Sequence, residues 1–484
     1  MPRQLARVLA CVILLFTSWA GVQAAPAPGA SVEGVGELQI LVMLRLPPPH
    51  FHSDGVYGSG WDVQSGKRAR WRIAEKLAQR HHLKVVDNWN MSAIGVDCFV
   101  MQRSAAGSPD RASTGQASTD QPSADQPSTD QPSTGQPSAD QLSTGQPSAD
   151  QLVKQLSAAP EVESVQVVNT FRTLQAVRDP LPGGAAAPSA LGQHNDPLFE
   201  QQPTSEPWHL AELHRSATGR GVTIAVIDSS VDLQHADLRG QVRLARDFVG
   251  VGSTSAEAHG TAVAGIIAAR ADDGIGIAGI APGARLLALR ACWDEGRDGE
   301  ASRCNSFMLA KALHFAIDEE ADVINLSLSG PQDALLARLL DVALARGTSV
   351  VAALAPPGVA QTFPASHPGV IAVGMAGQRS PFRGVNAPGR DVPTTLPGGQ
   401  WGLVSGSSFS AAEVSGLIDL LRELSGPLQH APVLFAQDAN FHTTSVQADE
   451  RNLDSCALAR HAARHCVCQC SKDADPARTP RPST

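Results

Sequence analysis

The sequence predicts an α/β chain in which a doubly wound, mostly parallel sheet is preceded by a small α+β split-βαβ domain. Two observations carry that prediction. From about Trp208 onward, short apolar runs at 222–227, 286–289, 323–328, 350–353 and 370–373 alternate with helical patterns at 262–269, 307–319 and 334–345. Continuous β-branched runs between helices mark parallel strands covered on both faces. Earlier, the chain reads strand at 38–46, helix at 68–81, strands at 83–86 and 95–101, helix at 151–158 and strand at 162–168. That β-α-β-β-α-β order is the split-βαβ arrangement.

At 484 residues and 42% hydrophobic content, the chain can build two or three packed domains. Its net charge of −9 is spread without a basic stripe, which argues against nucleic acid as the main partner. Residues 1–24 carry Arg3 and Arg7, an apolar run, and then Val22-Gln23-Ala24, a small-x-small cleavage pattern. This is the form of a secretory signal, so a secreted location, periplasmic or extracellular, is expected. No later segment has the length of a membrane span.

The layout that follows is a leader at 1–24, an α+β domain at 25–180, a linker at 181–205, the doubly wound domain at 206–430 and a Cys-rich tail at 431–484. Within the first domain, 104–150 repeats units such as Gln-Pro-Ser-Ala-Asp, a period of five that fits neither helix nor strand and offers little to bury. That insert is expected to be disordered. Eight cysteines, of which Cys11 falls in the leader, leave seven for an exported chain, hence disulfides and one spare thiol. Cys292 and Cys304 flank a polar loop and are the first candidate pair. The Cys-x-Cys-x-Cys run in the tail does not have the spacing of structural zinc sites.

The stretch 402–416 passes from a Gly-Ser turn into a helical pattern with Val414, Leu417, Ile418 and Leu421 on one face. Ser408 therefore falls at a helix N-terminus, where unpaired N–H groups and the helix dipole favour developing negative charge. Asp228 ends the first strand of the doubly wound domain, where such sheets place functional groups. His259 opens a helix of small residues. Serine, histidine and aspartate make a hydrolytic set: Ser408 the nucleophile, His259 the general base and then acid, Asp228 the group that fixes the imidazole tautomer.

With these residues in view, the chain resembles the subtilisin-like serine proteases, in which the three occur in the order Asp, His, Ser. The matching blocks are Val-Ile-Asp-Ser at 226–229, His-Gly-Thr-Ala-Val-Ala-Gly at 259–265, Val-Ile-Asn-Leu-Ser-Leu-Ser-Gly at 323–330, Phe-Pro-Ala at 363–365, Ala-Pro-Gly at 387–389 and Gly-Ser-Ser at 406–408. The resemblance implies an exported serine endopeptidase acting on polypeptides. Its first domain would be a pro-domain, an intramolecular inhibitor that the protease cuts from itself. Ser327, Leu328, Ser329 and Gly330 would form the substrate-binding edge, with Ser329 narrowing the first specificity pocket toward small or medium apolar residues. No cofactor or metal is required by this chemistry, and structural calcium is left open. Gly274, Gly276 and Gly279 fit a dinucleotide pattern, but without the strand before and helix after that it needs.

Two departures stand out. Where the family places an oxyanion-hole Asn, this chain has Pro356, leaving the Ser408 N–H, the Ser407 hydroxyl and, nearby in sequence, the Gln361 amide. The family's Pro-His after the nucleophile is Ala412-Glu413. Pro356 keeps open an alternative, a pseudoprotease that binds peptides without cleaving them.

Overall fold

The computed structural model describes residues 38–46, 59–103, 147–174, 176–181, 194–250, 255–294, 302–379, 382, 384–426, 453–463 and 467–468. The leader, most of the repeat insert, Cys466 and Cys470 lie outside them.

The N-terminal domain follows the expected order: β1 (Gln39–Arg45), α1 (Ser59–Arg80), β2 (Leu83–Met91), β3 (Val96–Arg103), α2 (Ala149–Ser157) and β4 (Val162–Val167). Its strands lie in the order β2-β3-β1-β4, each antiparallel to its neighbour. Because successive strand residues face opposite ways, Ile40, Val42, Leu44, Phe99 and Met101 pack against Leu77 of α1 and Leu152 and Leu156 of α2. Leu41, Met43, Val96, Cys98 and Val100 face away from those helices and are buried against the larger domain. The sheet thus needs both partners. Helix α2 begins inside the segment expected to be disordered to 150, because Ser148 and Gln151 form a reciprocal capping box.

The larger domain continues with β5 (Thr170–Thr173), β6 (Ala176–Pro180), α3 (Leu210–Leu213), β7 (Thr223–Asp228), β8 (Val242–Asp247), α4 (Ala258–Ala268), β9 (Arg285–Arg290), β10 (Cys292–Asp294), β11 (Ser302–Asn305) and α5 (Ser306–Asp318). Then come β12 (Val323–Leu326), β13 (Leu328–Ser329), α6 (Ala334–Ala345), β14 (Ser349–Ala353), β15 (Ile371–Met375), β16 (Gly384–Ala387), β17 (Val392–Leu396), β18 (Gln400–Ser405), α7 (Ser407–Ser425) and α8 (Ser455–Ala463). Among the described residues the main sheet has seven strands, β16-β15-β14-β12-β7-β9-β8, all parallel.

Both faces of that sheet are covered. Ile224 and Val226 of β7 pack with Val263 and Ile267 of α4 and Val414, Leu417 and Ile418 of α7. Ala225 and Ile227 face Leu309 and Leu313 of α5 and Leu339 and Leu340 of α6. Each fully buried aliphatic side chain stabilises by about 1.5–3 kcal/mol, so the two layers fix β7 at the centre. Its carboxyl end, Asp228, lies where strand succession reverses direction, the place where such sheets build sites.

Three segments differ from the expected layout. Residues 194–205, expected as part of an exposed linker, fold onto the larger domain: Phe199 is 2% exposed, and the Gln202 amide exchanges hydrogen bonds with the backbone of Ala278 at 2.8 and 3.0 Å. In the tail, α8 packs on α7 and the Ser455 hydroxyl donates to the Trp208 carbonyl at 2.7 Å, while a disulfide ties Cys456 in its first turn to Cys468. The third is the segment after β4, which leaves the sandwich and enters the groove described next. No helix among the described residues is long and apolar enough to cross a membrane.

Candidate active site

Asp228 and His259 are brought together in the interior, 1% and 0% exposed. The His259 Nδ1–H donates to Asp228 Oδ1 at 2.6 Å, and the same oxygen accepts the Ser229 N–H at 2.6 Å. With its proton on Nδ1, the ring presents a lone pair at Nε2, which has no hydrogen-bond partner. The approach depends on Gly260: a Cβ there would lie 2.2 Å from the Ser229 carbonyl. A larger residue would push the start of α4 off the end of β7.

Ser408 is the second residue of α7, which is preceded by Gly406 with φ 153°, a conformation that favours glycine. The residue that follows, Phe409, packs on the His259 ring with centroids 5.5 Å apart. The Ser408 hydroxyl donates to the Ser327 carbonyl at 2.8 Å and accepts the Leu174 N–H at 3.1 Å. It is not bonded to His259 in this arrangement. The Ser327 hydroxyl lies 2.9 Å from both Asn325 Oδ1 and the Ser408 carbonyl, so the expected binding edge and the serine helix are stitched together.

Sequence reasoning placed 170–180 at the end of the first domain; the structure runs it through the groove. Strand β5 is antiparallel to β11 on one side, pairing Cys304 with Phe171, and to β13 on the other, pairing Leu328 with Thr173 and Ser329 with Arg172. This is β-augmentation by the chain's own segment. Phe171 is fully buried in a pocket with Leu309, Leu328, Leu336 and Phe363. Of the four edge residues, Gly330 makes room for it: a Cβ there would sit 2.3 Å from the Phe171 ring. Beyond Leu174 the chain resumes as β6, antiparallel to β18.

Pro356 stands at the rim of an open cavity of about 640 Å³ that Leu174, Met375, Gln378, Arg390 and Ser407 also line. The Ser407 hydroxyl, expected as an oxyanion donor, instead donates to the Leu354 carbonyl at 2.8 Å. Gln361 is exposed. The amide found beside the turn is that of Gln378, which donates to the Ala355 carbonyl at 2.8 Å.

Glu413, the second departure, is buried in α7 with neither carboxyl oxygen hydrogen-bonded. Burial pushes its pKa up to about 8. The acid is therefore held neutral at moderate pH. Since the folded value lies above the unfolded one, this stabilisation is complete below about pH 4.5 and is lost as pH rises through about 8, on the order of 5 kcal/mol in all. Asp419 on the same helix is also raised by burial and adds a slope of the same sign. Thermal melts of a Ser408→Ala chain, which blocks proteolysis, are expected to fall between pH 5 and 8. Glu413→Gln should flatten that fall; an unchanged slope would mean that Glu413 does not titrate in this range.

Away from the site, His194, Asp196 and Asp272 place ligand atoms within 4.8 Å of one another and could hold a cation. They also bond among themselves, His194 Nδ1 lying 3.0 Å from Asp272 Oδ1. The Cys292–Cys304 disulfide is formed as expected, and Cys98 is a buried free thiol.

A seven-stranded parallel sheet with helices on both faces, and with the Asp228–His259 pair at the carboxyl end of its central strand, defines a doubly wound α/β protein. The Subtilase family profile matches residues 219–448. Subtilisin of Bacillus pumilus is 36% identical over 241 residues, 45% of this chain and 84% of that protein. Thermophilic serine proteinase of Bacillus sp. (strain AK1) is 39% identical over 214 residues, 42% of this chain and 52% of the relative, so only about half of that protein's length is spanned. The crystal structure of fervidolysin from Fervidobacterium pennivorans, described as a keratinolytic enzyme related to subtilisin, superposes with a TM-score of 0.57 at 20% identity over 89% of this chain and 61% of that one. The chain belongs to the subtilase family, the subtilisin-like serine proteases.

Proposed function

We propose that this protein is an exported serine endopeptidase made as a zymogen, cleaving peptide bonds through an acyl-enzyme on Ser408. The observation that carries the reading is the Leu174 N–H, 3.1 Å from the Ser408 hydroxyl, directly after a strand gripped on both sides by backbone pairing. Two bonds from that nitrogen is the Leu174 carbonyl carbon. A peptide so held, beside a buried Asp228–His259 pair, has the arrangement of a bound substrate.

In this reading one rotamer change of Ser408 transfers its hydrogen bond from the Ser327 carbonyl to His259 Nε2. His259 then takes the proton as the hydroxyl attacks, and returns it to the leaving amine. Asp228 holds the imidazole in the tautomer required and stabilises its charged form. The first domain acts as inhibitor through its own C-terminal strand in the cleft. It is docked further by the Glu163–Arg338 ion pair at 2.7 Å and by the Asn169 amide on Asp333 at 2.8 Å. Leu174, a medium apolar side chain, occupies the position before the cut for which such residues are expected.

The test is labelling by a serine-directed fluorophosphonate after maturation. Label is expected on Ser408 of folded wild-type protein, and not on denatured protein or on Ser408→Ala. Folded protein with an open cleft and no label would favour the alternative, a peptide-binding module without chemistry.

A further inference from the structure

We infer that the cleft also reads the residue before that one, selecting a threonine or serine hydroxyl, and that the reader is the Ser302 backbone N–H. The inference rests on the proposed peptidase reading for its catalytic consequence, but not for the recognition itself. Thr173 is only 5% exposed, and its Oγ1 accepts the Ser302 N–H at 2.9 Å with both groups buried. This bond is additional to the main-chain pairing of β5, which any sequence would make, and it engages the side chain.

The donor is held rigidly. Ser302 is 1% exposed, and its hydroxyl donates to Asp294 Oδ1 at 2.5 Å across the β10–β11 pair. The Cys292–Cys304 disulfide crosslinks the same two strands two residues away. The Asp294 N–H donates to Glu257 Oε1 at 3.2 Å, and Glu257, the residue before α4, is in turn clamped by Arg290 Nε and Nη2, both at 3.0 Å. The wall that meets Thr173 is therefore fastened to the start of the helix that carries His259.

The chemistry follows from the asymmetry of buried hydrogen bonds. A substrate with valine at this position has the shape of threonine but puts a methyl against the Ser302 N–H, which is then buried and unpaired. Leaving such a donor buried and unpaired costs about ten- to hundredfold in rate. Serine keeps the acceptor and loses only the methyl contact. The preferred peptide carries a large apolar residue where Phe171 sits, threonine or serine two residues later, and then a medium apolar residue before the cut.

The experiment uses the full chain with Thr173→Ser and Thr173→Val. In otherwise wild-type protein, Thr173→Ser should process within about fivefold of the parent rate and Thr173→Val about ten- to hundredfold more slowly; matured protein should rank Thr, Ser and Val peptides in the same order by kcat/KM. Valine cleaved as fast as threonine by active protein would overturn the inference. Amide hydrogen exchange at Ser302 in the Ser408→Ala background reads the bond without catalysis: exchange should speed up in Thr173→Val and stay protected in Thr173→Ser. Equal protection in both would overturn it even if no form of the protein cleaves anything, whereas faster exchange in an inactive chain would uphold the recognition and remove only the peptidase reading.

Discussion

Ser408→Ala is expected to hold the chain at full length while the wild-type chain splits between Leu174 and Gln175. The bond is specified by register, since Ser329 and Leu328 pair with Arg172 and Thr173 and so present Leu174 to the Ser408 hydroxyl. Phe171, buried in its pocket, anchors that register: a slip of one residue would turn its side chain out of the pocket and expose it. The cut is intramolecular, so its rate should not depend on protein concentration. Loss of the nucleophile costs about 10⁶ in turnover in subtilisin itself, enough to make Ser408→Ala inert over days. Mass spectrometry of the new N-terminus, with wild type and variant incubated separately and mixed, checks this. An N-terminus elsewhere would move the scissile bond, and a purified Ser408→Ala chain that matured as fast without added protease would exclude self-cleavage.

Much of this was legible because the chain repeats its signals at several levels. The central strands of the larger sheet are continuous β-branched or apolar runs, and Asp228 follows one of them directly. Strand β8 was missed for a physical reason. An edge strand such as Val242–Asp247 needs only one buried face and carries polar and charged residues that look like loop. Strand β5 was invisible for another: Thr-Phe-Arg-Thr becomes a strand only by pairing with residues 130 or more positions away. The disulfide between Cys292 and Cys304 could be read from spacing, whereas Cys456 had three possible partners in the tail. For the missing oxyanion donor, sequence proximity pointed to Gln361. The parallel pairing of β14 with β15 instead brings Gln378, just past the end of β15, to the Ala355 carbonyl.

Pro356→Asn is expected to raise the turnover number by about 10²–10³ while changing the Michaelis constant little. In subtilisin itself, removing the corresponding side-chain donor costs that much, roughly 3–4 kcal/mol. Here proline offers neither a side-chain amide nor its own N–H, and the Ser407 hydroxyl is committed to the Leu354 carbonyl. That leaves the N–H at the start of α7 to meet the developing oxyanion. The effect should appear in kcat because the charge exists only in the transition state, whereas the bound peptide is held by β11 and β13, which the substitution does not touch. The turn can accept the change. Pro356 lies exposed at the rim of the cavity that Leu174 also lines, and an asparagine before Pro357 suits the extended conformation that position requires. Steady-state kinetics on a peptide carrying the 171–174 sequence decides the matter. An unchanged kcat in Pro356→Asn would overturn the missing-donor account, and a collapse of kcat in Gln378→Ala alongside it would place the donor on the amide that already lies against Ala355.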